Sequence, residues 1–111
     1  MTLALLTFEE RDAVRRATAA TFQFFDADFH TRMGLWEEDM SRLLAAWPDV
    51  DDAMDDSDAC LAINNALNDL LHGVGISDQK AIELTGVNRD ELRRIYRKWA
   101  LGRGWNSTGV R

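Results

Sequence analysis

The sequence has little of what interrupts helices and little of what cross-links chains: Pro48 is the only proline and Cys60 the only cysteine in 111 residues. One cysteine excludes an internal disulfide, and its setting among Ala59, Leu61 and Ile63 points to a buried thiol, which suits a reducing cytoplasm. Long apolar runs are missing too. The opening MTLALLTF has no basic leader and runs into Glu9 and Glu10, so neither a signal peptide nor a membrane span is expected. The Asn106-Ser-Thr triplet then carries no expectation of glycosylation. There are only two histidines, with no His-x-x-x-His and no Glu-x-x-His spacing. Convincing apolar-polar alternation of the kind that marks strands is also absent.

What is present is apolar volume and helical periodicity. Hydrophobic residues make up 46% of the chain, with four Trp and five Phe, enough for one domain to bury its own core. Charge is divided unevenly. Residues 1–76 hold five Arg against fifteen Asp and Glu, a balance of -10, while residues 77–111 hold eight Lys and Arg against four acids, a balance of +4. The expected architecture is all-α, a single domain of four or five helices. An acidic helical body over 1–76 is followed by a helix pair over 77–100 and a flexible tail over 101–111.

Thr7 with Glu10 three residues on has the form of a capping box, so a first helix is expected to begin near Phe8. Phe22, Phe25, Phe29, Met33 and Trp36 follow at spacings of three and four, which predicts one apolar stripe running past Asp26, Asp28 and His30, with Gly34 bending or breaking it. Such a stripe serves either as core or as the contact between two protomers, and a homodimer is therefore a candidate partner state. Trp36, Met40, Leu43, Leu44 and Trp47 continue the helical spacing until Pro48 stops it.

The run PDVDDAMDDSD reads as an acidic connector whose Asp56 or Ser57 caps the next helix. It lacks the glycine at the sixth and the glutamate at the twelfth position that a calcium loop needs. A third helix over about Asp58 to His72 places Cys60, Ile63, Leu67, Leu70, Leu71 and Val74 on one side, with Gly73 as its stop. Its other side carries Asn64, Asn65, Asn68, Asp69 and His72. Asparagine is a poor helix former, so Asn65, Asn68, Asp69 and His72 are candidates for a partner-binding surface or for a buried hydrogen-bond network.

Ser77 is placed to cap a short helix over Asp78 to Leu84, Gly86 allows the positive φ of a tight turn, and Asn88 with Glu91 starts a last helix. Leu92, Ile95, Tyr96 and Trp99 form its inner face. Arg89, Arg93 and Arg97 then line its outer side, with Arg94 and Lys98 alongside. The segment SDQKAIELTGVNRDELRRIYRKW resembles the helix-turn-helix of bacterial DNA-binding proteins, on the strength of Gly86, Val87, Asn88, Leu92 and Ile95. It covers about 23 of the 111 residues. One position departs from the pattern: the family carries Ala or another small residue four before the turn glycine, and that residue here is Ile82. The resemblance implies duplex DNA as partner, with Asn88, Arg89, Asp90, Arg93 and Arg94 toward the major groove and Arg97 and Lys98 nearer phosphates.

The resulting expectation is a small, non-enzymatic DNA-binding regulator without cofactor. The alternative is an acidic protein-interaction module of antitoxin, immunity or phage accessory type, whose Asp49, Asp51, Asp52, Asp55, Asp56 and Asp58 engage a basic protein partner. A remote alternative is a helical metalloenzyme using Asp26, His30, Asn65, Asp69 and His72. No nucleophile-base pair accompanies these residues.

Overall fold

The computed structural model describes residues 2–24, 29–50, 52, 57–73 and 75–102. After a 3-10 turn at Thr2–Leu5 come α1 (Phe8–Phe24), α2 (Phe29–Met33), α3 (Glu37–Ala46), α4 (Asp58–Asn68) with a π turn at Asp69–Gly73, α5 (Asp78–Thr85) and α6 (Arg89–Gly102). There is no strand among the described residues, and apart from the short α2 five helices build the all-α domain. Its radius of gyration, 12.5 Å, is close to the roughly 13 Å of a single folded unit of this length.

Four helices, α1, α4, α5 and α6, start where the sequence supplies a side-chain acceptor, while α3 starts at Trp36 without one. Thr7 Oγ1 accepts from the Glu10 amide at 3.2 Å and Glu10 Oε1 from the Thr7 amide at 2.8 Å, completing the capping box of α1. Ser57 caps α4 by accepting from the Cys60 amide at 3.2 Å, and Ser77 caps α5 by accepting from the Lys80 amide at 3.1 Å.

The core gathers around α4, which packs against α1, α2, α3 and α6. Its inner side, Cys60, Ala62, Ile63, Ala66 and Leu67, is fully buried. Small side chains also fill the facing side of α1, where Ala13, Ala17 and Ala20 are buried, and small residues let helix axes approach closely. Thr18 and Thr21, buried in the same helix, bond their hydroxyls to the carbonyls of Val14 at 2.8 Å and Thr18 at 2.6 Å. No hydroxyl is left unpaired there.

Two elements differ from the sequence expectation. The aromatic stripe is not one helical face: Gly34 takes φ +82 and the helix restarts at Glu37. Phe29 and Met33 turn into the core, Phe22 stacks on Phe29 at 5.1 Å, and Trp36 alone of the described members stands outside, 59% exposed. Phe25 lies outside the described residues, as do Asp26, Asp28, Asp51, Asp55, Asp56 and Val74. The third helix also changes geometry. Its α form ends at Asn68 and a π turn carries it to Gly73, the expected stop. The wider turn accompanies burial of the adjacent Leu70 and Leu71. At the other end, α6 runs to Gly102, two residues into the stretch expected as tail; residues 103–111 lie outside the described residues.

Candidate interface around the last helix

The α5–α6 pair forms as its punctuation suggests. Gly86 closes α5 with φ +85, and Asn88 Oδ1 accepts from the Glu91 amide at 2.8 Å at the start of α6. Thr85, buried at the turn, donates to the Ala81 carbonyl at 2.7 Å and accepts from the Val87 amide at 3.3 Å. Leu92, Ile95, Tyr96 and Trp99 are buried, so the expected inner face of α6 is the real one. The departure at Ile82 has a structural counterpart: Ile82 is 52% exposed, and the small residue packed inside α5 is Ala81, one position earlier.

The cations of α6 are largely engaged with this chain. Arg89 is half-buried and donates from Nη2 to the Leu71 carbonyl of the π turn at 3.2 Å, while its own amide donates to Asp78 Oδ1 at 3.2 Å. Arg93 pairs with Asp90 at 3.2 Å. Arg94 reaches Glu10 at 2.8 Å and Glu91 at 2.5 Å, and Lys98 reaches Glu10 at 2.8 Å. Arg97 is exposed and has no acceptor among the described residues.

Glu10 is the centre of this network, its side chain only 8% exposed. Burial pushes its carboxyl up, but hydrogen bonds from Lys98, the Thr7 amide and Arg94, with the Lys98 charge, outweigh that and hold it down at about 2. Arg94 holds Glu91 below the usual carboxylate range and is itself raised by Glu91 and Glu10. A second buried carboxylate ties the same helix to the N-terminus. Asp52 Oδ2 accepts from Trp99 Nε1 at 3.0 Å and from the Leu3 amide at 3.2 Å. Neither link was foreseeable from spacing: Glu10 showed only its capping role and Asp52 only its place in an acidic run.

The Asn-rich side of α4 divides. Asn65 is half-buried and donates to the Met33 carbonyl at 2.8 Å, and Asn64 accepts from the Tyr96 hydroxyl at 2.5 Å. Asn68 and His72 are exposed and Asp69 is half-buried. Part of the side is therefore internal wiring and the rest is surface. Asp26 and the His30 side chain lie outside the described residues, and among the described residues no group of three His, Cys, Asp or Glu is placed to hold a metal ion.

Large apolar side chains also reach the surface. Leu5, Phe8, Trp36, Ile82 and Leu101 are each more than half exposed. No protein-family model matches the chain, and neither the curated proteins nor the solved structures contain a match. Among the described residues no helix is long and apolar enough to cross a membrane.

Proposed function

We propose that this chain is a non-enzymatic protein-interaction module of the cytoplasm, taking a basic protein surface on its exposed acids. The observation that carries this reading is the commitment of the α6 cations. Of Arg89, Arg93, Arg94, Arg97 and Lys98, only Arg97 lacks an acceptor among the described residues. A phosphate backbone would have to compete with acceptors already in place, and exposed Asp78, Glu83 and Asp90 would repel it on the same helix pair. The start of α3 offers the opposite chemistry: exposed Trp36 beside Glu37 and Glu38, an aromatic anchor with an anionic rim.

The DNA-binding regulator is the second reading, favoured by the short turn at Gly86 and by exposed Asn88 and Arg97 on α6. Salt dependence separates the two. Retention on heparin and duplex DNA through Arg89, Arg93 and Arg97 would give a log-log salt slope of about -2.7, whereas Arg97 alone gives about -0.9 or less. The interaction module is expected to show the shallow slope and to bind poly-lysine in low salt, with Glu37→Lys and Glu38→Lys weakening that binding. A steep slope on DNA, lost in Arg93→Glu with Arg97→Glu, would replace it with the regulator.

A further inference from the structure

Between α3 and the start of α4 lies a cleft of about 340 Å³, open to solvent and lined by Asp39, Arg42, Leu43, Val50, Asp58 and Ala59. Leu43, Val50 and Ala59 are core residues that keep only a trace of exposure here, so they form its floor. The floor is apolar. Asp39 is partly exposed and Arg42 and Asp58 are exposed, which makes the rim charged.

That rim leans anionic. Asp58 has no cation partner among the described residues, while Asp39 pairs with Arg42, whose side chain is 72% exposed. A pair so open to water is weak, and another cation can replace Arg42 at little cost. The chain around the cleft supplies none: from Leu43 to Gln79, the stretch that carries Val50, Asp58 and Ala59, it has neither Lys nor Arg.

Floor and rim together select the guest. An anion gains nothing from Asp39 and Asp58, and an open cleft cannot cover most of a free small molecule, as ligand pockets usually do. A lysine side chain meets both conditions. Its four methylenes lie along apolar surface while its ammonium, a strongly hydrated point charge, stays at a wet anionic rim. Glu37 and Glu38 precede Asp39 on α3, so the cleft borders the surface proposed for the basic partner.

We infer that this cleft receives a lysine side chain of the basic protein partner, its methylenes on Leu43, Val50 and Ala59 and its ammonium at Asp39 and Asp58, with Arg42 displaced. The inference rests on the protein-interaction reading, and it names where the partner is gripped and by which group.

Poly-lysine titrated into the full chain at low salt and followed by amide NMR shifts tests it. The largest shifts are expected at Leu43, Asp58 and Ala59. Asp39→Asn with Asp58→Asn weakens binding about tenfold while helical circular dichroism is kept, because both carboxylates lie outside the core. Removing the competing cation has the opposite sign. Arg42→Gln strengthens binding about threefold, whereas Arg16→Gln, which breaks the comparable exposed pair with Asp12 on α1, leaves it unchanged. Poly-ornithine, equally charged but one methylene shorter in each side chain, binds more weakly. Binding unchanged in the Asp39 and Asp58 double variant overturns the inference, as does binding weakened by Arg42→Gln. If either occurs while Glu37→Lys with Glu38→Lys still abolishes binding, the cleft falls and the protein-interaction reading survives at the start of α3. A chain that ignores poly-lysine even in low salt loses both.

Discussion

Trp99 donates its indole N–H to the buried carboxylate of Asp52 at 3.0 Å, linking the last helix to the connector before α4. The same oxygen accepts from the Leu3 amide, so three distant parts of the chain meet on one atom. Trp99→Phe keeps most of the apolar volume but removes a donor from a buried anion. The expected cost is about 2–3 kcal/mol, seen as a melting temperature lower by about 8–15 °C. A loss below about 0.5 kcal/mol would mean that the indole contributes by packing alone.

The Glu10 network makes stability depend on acid. The carboxyl is depressed to about 2 in the folded chain, so its contribution is complete above the ordinary glutamate range and is lost as pH falls from there toward 2. Arg94 and Lys98 are partly exposed, which screens the pairs, and a contribution of about 1–3 kcal/mol is expected. Glu10→Gln should lower stability at pH 7 and reduce the loss between pH 5 and pH 2. Denaturant melts of both proteins across that range check it, and parallel curves would refute the assignment.

Tyr96 is the only tyrosine, so its ionisation can be read directly by absorbance. Burial, with the Cys60 thiol nearby, pushes its hydroxyl up to about 12. Below the unfolding transition, the phenolate band should therefore appear near pH 12, against about 10 for a free tyrosine. Midpoints near 10 in the folded protein would place the ring in solvent.

Asn65 and Asn68 are expected to respond in opposite ways. Asn65→Ala removes a bond to the Met33 carbonyl that ties α2 to α4 and should cost about 1 kcal/mol. Asn68 is exposed near the end of α4, and Asn68→Ala should be neutral or stabilising by up to about 0.5 kcal/mol through helix propensity. Equal destabilisation by both, in thermal or denaturant melts, would contradict the division of this helix side.

The local chemistry of the chain determined where four of its helices begin and which side of α6 faces inward. Thr7, Ser57, Ser77 and Asn88 are caps because a short side-chain oxygen can reach an amide three residues ahead without help from the rest of the fold. Gly86 is a turn because its φ is costly for any residue with a Cβ. The inner face of α6 was likewise legible, since Leu92, Ile95, Tyr96 and Trp99 repeat at the helical period.

Only the tertiary structure decided what the charged residues do. Spacing marked Arg89, Arg93 and Arg97 as one outward row, but Arg89 turns to the Leu71 carbonyl and Arg93 to Asp90, leaving Arg97. Arg94 and Lys98 meet Glu10 across more than eighty residues of chain, a pairing for which periodicity has no signal. The aromatic stripe shows the same limit. Phe22, Phe29 and Trp36 share a helical spacing, yet Phe22 lies on α1, Phe29 on α2, and Gly34 breaks the axis before Trp36, so the first two pack toward the core and the last is exposed. Periodicity constrains a side chain relative to its own helix axis. The direction of that axis, and the acceptor that waits beside it, come from elements far away in the sequence.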